Sequence, residues 1–304
     1  MATKRRPRTQ ATRSGKRIEL TDRDLEIFRA LRRYRYLSST YLHAFVGGAS
    51  ATRLKERLGN LFHEGYLDRP AVQWEQANCR YRPAVYECGA GARRVLAEAE
   101  DADDARTFLG AGSHKQFLHS LMICEMLASI ELAARARPSL RFIAWPEILQ
   151  RAPADTRTNA IPFRIPVPSG GFLVPDGLFG LEYGGPQKSY RFFALEADRG
   201  TMPVSRTGRS QTSLLGKLEG YRSIIAQQRY KAHWGVPNLL VLTVTSNAGR
   251  LARALQGLEG AGGSPALLFR TATGLQLKTP VPSLLEAPWE RAALPPIRID
   301  GADQ

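Results

Sequence analysis

Three carboxylates in the second half of the sequence occupy positions from which they could bind a metal ion. Asp176 lies within one predicted strand, and Glu196 and Asp198 lie at the end of the next. Because side chains alternate along a strand, Glu196 and Asp198 share one face, about 7 Å apart. Two adjacent strands that carry acids can hold Mg²⁺ or Mn²⁺, and such an ion can activate water against a phosphodiester. Asp176 and Glu196 are therefore the predicted metal ligands of a nuclease-like site.

This arrangement resembles the PD-(D/E)xK nuclease superfamily. The matching residues are Pro175-Asp176 and Glu196-Ala197-Asp198, but Asp198 stands where the motif has a lysine. The resemblance implies that the following helix can supply the lysine instead. Lys217 fits this role, because it shares a helical face with apolar residues and is predicted to point inward. A lysine on such a face needs a carboxylate partner.

A glutamate on the long predicted helix extends the same cluster. Glu125 lies on one stripe with Leu118, Leu121 and Leu132, and the resemblance implies a glutamate on this first helix in some superfamily members. The predicted catalytic set is therefore Asp176, Glu196, Asp198, Lys217 and Glu125. The alternative is that the acids and Lys217 form a purely structural network.

The elements that must position these residues alternate between helix and strand. A helix is predicted over 114–136, followed by strands over 140–148, 171–181 and 190–197. A helix over 213–228, a strand over 238–245, a helix over 250–258 and a strand over 266–271 complete the order αβββαβαβ. This order predicts a nuclease-like α/β sandwich with a mixed sheet.

The first third of the chain carries most of the positive charge. The net charge is +15, and residues 1–99 hold 20 Lys or Arg against 10 Asp or Glu. A basic chain without a membrane segment most often binds a polyanion, and double-stranded DNA is the predicted partner. The first 17 residues hold seven positive charges and no hydrophobic periodicity. They are predicted to form a disordered arm that contacts phosphates, through Lys4, Arg5 and Arg6 among others.

The region after the arm has the pattern of a winged helix-turn-helix. Thr21 and Asp24 have capping-box spacing before the first of three short helices, and Ser39 and Ser50 can cap the second and third. The third helix has one apolar and one polar face and is the predicted recognition helix. Its polar face supplies the predicted DNA contacts Thr52, Arg53, Arg57 and Asn60.

A predicted hairpin follows this helix. Residues 66–69 and 84–87 form its two strands, and the segment between them is basic and aromatic. Arg80 and Arg82 in that segment are predicted to contact the DNA backbone or minor groove. The alternative for the third helix is that its polar face contacts only solvent, as on any amphipathic surface helix.

The cysteines, the apolar runs and the loop-like segments give the remaining expectations about protein class and domain boundaries. Three cysteines form no C-x-x-C pair, which argues against a zinc finger or a disulfide scaffold. No apolar run approaches the length of a membrane span, so a cytoplasmic protein without membrane contact is expected. The predicted parts are an arm (1–17), a winged-helix domain (18–99), a linker (100–113), a nuclease-like domain (114–278) and an irregular Pro-rich tail (279–304).

Several short segments together resemble the replication-relaxation family. They are LTDRD (20–24), HEGYLDR (63–69), HSLMICEML (119–127), PDGLF (175–179), LEADRGT (195–201) and KLEGY (217–221). The resemblance implies a protein of bacterial plasmids or other mobile elements that acts in replication, DNA relaxation or transfer.

We therefore predict a duplex-DNA-binding protein of a mobile element without robust nuclease activity, because Asp198 replaces the motif lysine. A homodimer or other replication and transfer proteins are the expected protein partners. Two alternatives stay open. One is a metal-dependent endonuclease, and the other is a winged-helix transcriptional regulator whose second domain binds a partner or dimerises.

Overall fold

The computed structural model describes residues 6–15, 18–75, 79–99, 117–185, 187–200, 203–204, 213–245, 247–272 and 283–301. The chain divides into two compact units, residues 1–132 with 276–281 and residues 133–275 with 282–304. Each unit combines helices with a sheet, in agreement with the predicted α+β, two-domain class. The predicted linker at 100–113 lies outside the described residues.

The first unit consists of helices and one small sheet. Its helices are α1 (Asp22–Tyr34), α2 (Ser39–Val46), α3 (Ala51–His63), α4 (Ala90–Glu98) and α5 (Phe117–Arg135), the last of which ends in the second unit. Its strands are β1 (Leu37–Ser38), β2 (Leu67–Asp68) and β3 (Val85–Cys88), in the spatial order β1-β3-β2 with antiparallel pairing. The predicted hairpin is confirmed by the pairing of β2 with β3.

The predicted caps fix where the helices of this unit begin. Thr21 and Asp24 form a reciprocal capping box at α1, and the Ser50 side chain accepts a hydrogen bond from the Arg53 amide at α3. At α2 the cap is Ser38 rather than Ser39. A side chain thus caps α1 and α3, whereas Ser38 makes no side-chain cap hydrogen bond at α2.

Helix α5 differs from the sequence analysis in two respects, its apolar length and the unit to which most of it belongs. By length and composition it could cross a membrane, but 78% of its most apolar stretch is buried inside the protein. It therefore has the character of a core helix. Residues 117–132 of this helix belong to the first unit, whereas the sequence assigned the whole helix to the second domain.

The second unit is built on a seven-stranded sheet. Its strands are β4 (Leu140–Ile143), β5 (Ile165–Pro166), β6 (Phe172–Leu173), β7 (Gly177–Tyr183), β8 (Ser189–Asp198), β9 (Leu240–Thr245), β10 (Leu267–Thr271), β11 (Trp289–Arg291) and β12 (Leu294–Ile297). Its remaining helices are α6 (Trp145–Arg151), α7 (Ala154–Thr158), α8 (Leu214–Ala226), α9 (Arg229–Trp234), α10 (Ala248–Gly260) and α11 (Ser283–Glu286).

The large sheet is mixed, as predicted. Its order is β12-β11-β10-β9-β8-β7-β4, while β5 and β6 pair separately as a two-stranded sheet. Strands β8, β9 and β10 run parallel, and every other neighbouring pair is antiparallel. Helices α8 and α10 are the crossovers between the parallel strands. The carboxyl ends of β8 and β9 therefore meet at one edge, where α/β sheets commonly hold their ligands.

Two predicted strands are shorter than expected. The strand predicted over 140–148 ends at Ile143, because Pro146 lies in the first turn of α6, where proline is tolerated. The strand predicted over 171–181 is interrupted, so that β6 belongs to the small sheet and β7 to the large one. Asp176 consequently lies between two strands instead of inside one.

The C-terminal tail is not irregular, contrary to the prediction. Strands β11 and β12 extend the large sheet beyond β10. The side chains of Trp289 and Ile299 are fully buried, and the Tyr183 hydroxyl donates a hydrogen bond of 2.6 Å to the Ile299 carbonyl. The tail is therefore part of the second unit's core.

Candidate functional site

Glu196 is the centre of a buried polar cluster in the second unit. It lies near the end of β8, between β7 and β9, and is 4% exposed. The two-residue period places Asp198 on the same face, as predicted. Lys217 and Tyr221 of α8 contact Glu196, and Arg250 of α10 contacts Asp198. Both crossover helices therefore cover the acidic face of this strand.

Two donors from one helix hold the Glu196 carboxylate. The Lys217 ammonium donates to Oε2, and the Tyr221 hydroxyl donates to Oε1. The two donors are four residues apart, so they lie on the same side of α8. Each oxygen of Glu196 thus accepts a hydrogen bond from a side chain of a single, adjacent helix.

Burial dominates the electrostatics of this cluster. It raises the pKa of Glu196 to about 7, with Lys217 opposing the rise and the charge of Asp176 adding to it. Burial disfavours the Lys217 charge, but the carboxylates of Glu196 and Asp176 outweigh burial and raise the pKa of this lysine. Burial also raises the pKa of Tyr221 well above its usual value, so its hydroxyl stays a donor. Because the pKa values of Lys217 and Tyr221 are both raised, these two groups keep their protons and remain donors at neutral pH.

Asp176 contacts the backbone of β8 at the residue that follows Glu196. Its Oδ2 atom accepts a hydrogen bond of 2.8 Å from the Ala197 amide, and its charge acts on both Glu196 and Lys217. The structure therefore brings together Asp176, Glu196 and Lys217. Within the described parts of the chain, no group of three or more His, Cys, Asp or Glu residues has an arrangement that could hold a metal ion.

Asp198 is engaged in a separate ion pair. Arg250 donates to both of its oxygens, at 2.7 Å from Nε and 2.9 Å from Nη2, and the Gly200 amide donates to Oδ1 at 3.0 Å. The side chains of Asp198 and Arg250 are 7% and 12% exposed. This two-point geometry is the strong form of an arginine–carboxylate pair. Asp198 thus has a partner on α10, while Lys217 serves Glu196.

Glu125 lies in the first unit, on α5. It is 2% exposed, and burial raises its pKa to about 8. The nearby Ser38 hydroxyl opposes this rise, although neither Ser38 Oγ nor Glu125 Oε1 has a hydrogen-bond partner among the described residues. Glu125 is therefore a buried acid whose Oε1 atom has no hydrogen-bond partner among the described residues.

Three residues of the site were not predicted. Tyr221 had a sequence signal, since it lies four residues after Lys217 on the same face. Thr243 and Arg250 had none, because their positions depend on sheet order: β9 lies parallel to β8, with Thr243 opposite Glu196. Thr243 is 1% exposed, and its hydroxyl has no hydrogen-bond partner in the described chain.

In the first unit, α3 exposes most of the predicted recognition residues. Thr52, Arg53 and Asn60 are exposed, and Leu54 and Leu58 on the opposite face are buried. The helix thus presents a polar surface on a rigid apolar base.

Arg57 requires a correction. Its guanidinium donates to Oδ1 of Asp24 at 3.0 Å, to Oδ2 at 2.6 Å, and to the Glu19 carbonyl at 2.6 Å. Burial disfavours the charge of Asp24, but the bonds from Arg57 and Thr21 outweigh burial and lower its pKa. Because Asp24 is 1% exposed, it needs this partner. Arg57 therefore stabilises buried Asp24, a role that the sequence analysis did not predict.

The connection between β2 and β3 exposes the predicted basic residues. Arg80, Tyr81 and Arg82 are exposed, and Tyr81 is 81% accessible. Buried Gln73 fixes the base of this connection, because its side chain donates to Pro70 and Val85 and accepts from the Val85 amide. The exposed residues thus extend from an ordered base.

The N-terminal arm is partly attached to the first unit, contrary to the expectation of disorder. Residues 6–15 have no helix or strand, but the Thr12 amide donates to His63 Nδ1 at 3.1 Å and the Ser14 amide donates to Glu64 Oε1 at 3.1 Å. Arg6 pairs with the same Glu64 oxygen at 3.6 Å. Lys4 and Arg5 lie outside the described residues.

Similarity to known families agrees with the motifs. Residues 28–240 match the replication-relaxation family, and this range contains α3 and the Glu196 cluster. The chain belongs to this family. No curated protein and no solved structure shows significant similarity to the chain. The replication-relaxation match ends before Arg250 and the tail strands, so these parts of the second unit lie outside it.

Proposed function

We propose that this replication-relaxation protein binds duplex DNA of a bacterial mobile element and acts in its replication, relaxation or transfer. In this proposal the first unit is a winged helix-turn-helix, with α3 as the recognition helix and the β2–β3 connection as the wing. The second unit is a PD-(D/E)xK-type domain without robust nuclease activity. The protein would act in the bacterial cytoplasm, bound to plasmid or nucleoid DNA.

The observation that carries the proposal is the exposed polar face of α3. Thr52, Arg53 and Asn60 carry donors and acceptors suited to base edges, and Arg80 and Arg82 add exposed charge in the same unit. Arginine pairs with guanine and asparagine with adenine through two hydrogen bonds each. Residues 1–99 have a net charge of +10, which suits contact with phosphates.

Changing α3 tests DNA binding. Arg53→Ala with Asn60→Ala should weaken binding to the preferred duplex by about 1–3 kcal/mol per lost base contact, measured by fluorescence anisotropy at fixed salt. Arg94→Ala is the matched control, because Arg94 is exposed on α4 and is 71% accessible. Equal losses in both variants would show that α3 contributes only charge.

The state of Glu196 supports the absence of robust nuclease activity. Both of its oxygens accept hydrogen bonds, so Mg²⁺ or Mn²⁺ would compete with the Lys217 ammonium and the Tyr221 hydroxyl. Asp198 is held by Arg250. The carboxylates thus fit a divalent cation poorly in this arrangement.

A metal-dependent endonuclease is the second candidate, favoured by the proximity of Asp176, Glu196 and Lys217. Incubation with supercoiled plasmid, with and without Mg²⁺ or Mn²⁺, separates the two. We expect no nicking and no metal-dependent rise in Tm. Nicking that disappears in Asp176→Ala would establish the endonuclease instead.

A further inference from the structure

The second unit exposes an aromatic ring on the hairpin β5–β6. Phe172 is 57% exposed, and Val174, two residues further along, is 46% exposed. They are two of the five large apolar or aromatic residues that are exposed in the described chain. An exposed ring on an ordered hairpin is a candidate contact for a ligand that can stack on it.

Phe172 is held in place by its buried neighbours. The hairpin β5–β6 pairs Ile165 with Leu173, which are 0% and 5% exposed. Its loop closes through Gly170 and Gly171, which both have positive φ, a conformation that favours glycine. The ring of Phe172 therefore projects from an ordered base and is positioned before any ligand arrives.

A cation lies against this ring. The Arg164 guanidinium is 3.8 Å from the Phe172 ring centroid, and Arg164 is itself exposed. An aromatic ring with an adjacent arginine can stack a base and attract its phosphate, which is the chemistry of single-strand binding. The positive charge of Arg164 thus favours a polyanion over an apolar protein partner.

The hairpin is coupled to the Glu196 cluster by chain and by packing. Asp176 follows Phe172 by four residues, so their Cα atoms are at most about 14 Å apart. Leu173 packs on Gly220 of α8, where an added Cβ would lie 3.3 Å from Leu173 Cδ1. Gly220 adjoins Tyr221, which holds Glu196. A ligand on Phe172 would therefore lie within a few nucleotides of the cluster.

We propose that Phe172 and Arg164 form a stacking site for unpaired DNA, at which the second unit holds a melted or nicked strand. This inference rests on the proposed function, because it gives the second unit a DNA form different from the duplex bound by α3.

The test uses the full chain and a fluorescein-labelled oligo-dT of about twelve nucleotides. Phe172→Ala should weaken binding about tenfold, whereas Phe172→Trp should retain it. The tryptophan variant should also show quenching on oligo-dT binding that exceeds that of the unmodified protein. Arg164→Gln should flatten the dependence of log K on log salt by about 0.7. Leu294→Ala is the matched control, because Leu294 is exposed on β12.

The outcomes separate this inference from the proposed function. Loss of oligo-dT binding in Phe172→Ala, with duplex binding intact, supports the stacking site. If α3 variants leave duplex binding unchanged while Phe172→Ala still loses oligo-dT, only the duplex proposal fails. Unchanged oligo-dT binding in Phe172→Ala overturns the stacking site. A change in sedimentation of that variant, with oligo-dT binding unchanged, would assign Phe172 to a protein contact and overturn the stacking site equally.

Discussion

Glu196 illustrates how one residue type can serve two different chemistries. A carboxylate at the end of a central strand is suited to a metal ion, yet here Lys217 and Tyr221 donate to its two oxygens. A buried carboxylate with such partners is stable, and the same carboxylate without them is costly. The partners of Glu196 therefore distinguish a structural network from a metal site better than the acid itself.

Removing Lys217 should show that the stability of the fold depends on the partners of buried Glu196. Lys217→Met leaves Glu196 buried without its cation, and we expect the free energy of unfolding at pH 7 to fall by about 3 kcal/mol. Urea denaturation measures it. Lys231→Met, at an exposed position on α9, is the control and should have little effect. Adding Glu196→Gln to Lys217→Met should restore part of the loss; no recovery would contradict the pairing.

Glu125 should make stability depend on pH. Its pKa is about 8 when folded, above that of an exposed glutamate, so the folded chain binds more protons than the unfolded chain between about pH 4.5 and 8. The free energy of unfolding must then fall as pH rises through this window, by about 3 kcal/mol from pH 5 to 8. Glu196 acts in the same direction in both proteins, so the difference between Glu125→Gln and unmodified chain isolates Glu125. Parallel stability curves would refute this assignment.

At the scale of elements, periodicity predicted what is local. Helix α3 was recognisable because its buried face follows the helical period, and strand β8 because it is a continuous run that is buried from Phe192 to Asp198. The inward direction of Lys217 followed from the same pattern. Arg57 was assigned to the DNA face because its partner Asp24 lies 33 residues away, on another helix, and no local pattern records that contact.

Short strands next to prolines escaped prediction for a related reason. Strands β11 and β12 span three and four residues, too few to show a period, and β12 contains two prolines. Their place in the sheet is fixed by pairing with β10 and by the burial of Trp289, which are contacts between distant parts of the sequence.

Trp289 should therefore matter as much as a residue of the central strands. Trp289→Ala removes a fully buried ring whose Nε1 donates a hydrogen bond of 3.1 Å to the Leu284 carbonyl. We expect a loss of about 3–5 kcal/mol in the free energy of unfolding, measured by chemical denaturation. Leu294→Ala, at an exposed position five residues further along the tail, should change it little. A small effect of Trp289→Ala would mean that the tail is dispensable.

At the scale of the whole molecule, charge is unevenly distributed. Residues 1–99 have a net charge of +10, and seven of their positive charges lie in the first 17 residues. The part of this arm that the structure describes contacts His63 and Glu64 at the end of α3. The described part of the arm thus lies next to the C-terminal end of the proposed recognition helix, where its charge would add to that helix's own.

Deleting residues 1–17 should weaken binding to all duplex sequences about equally. The arm carries charge without a fixed secondary structure, so its contacts should be with phosphates. The slope of log K against log salt should flatten by several units if most of its seven charges contact DNA. Anisotropy titrations at several salt concentrations measure this slope. A loss confined to one sequence, at unchanged slope, would instead make the arm a base-reading element.

The two prolines of β12 also disfavour strand pairing between two copies of the protein. Strand β12 is the last strand of the large sheet, and Pro295 and Pro296 provide no amide hydrogen for a further strand. A sheet edge that lacks part of its donors pairs less readily with the edge of another copy, so the tail hinders aggregation through strand addition. A chain that ended before β11 would leave β10, an apolar strand, as an open edge. The tail that the sequence predicted to be irregular thus helps to keep the protein in solution.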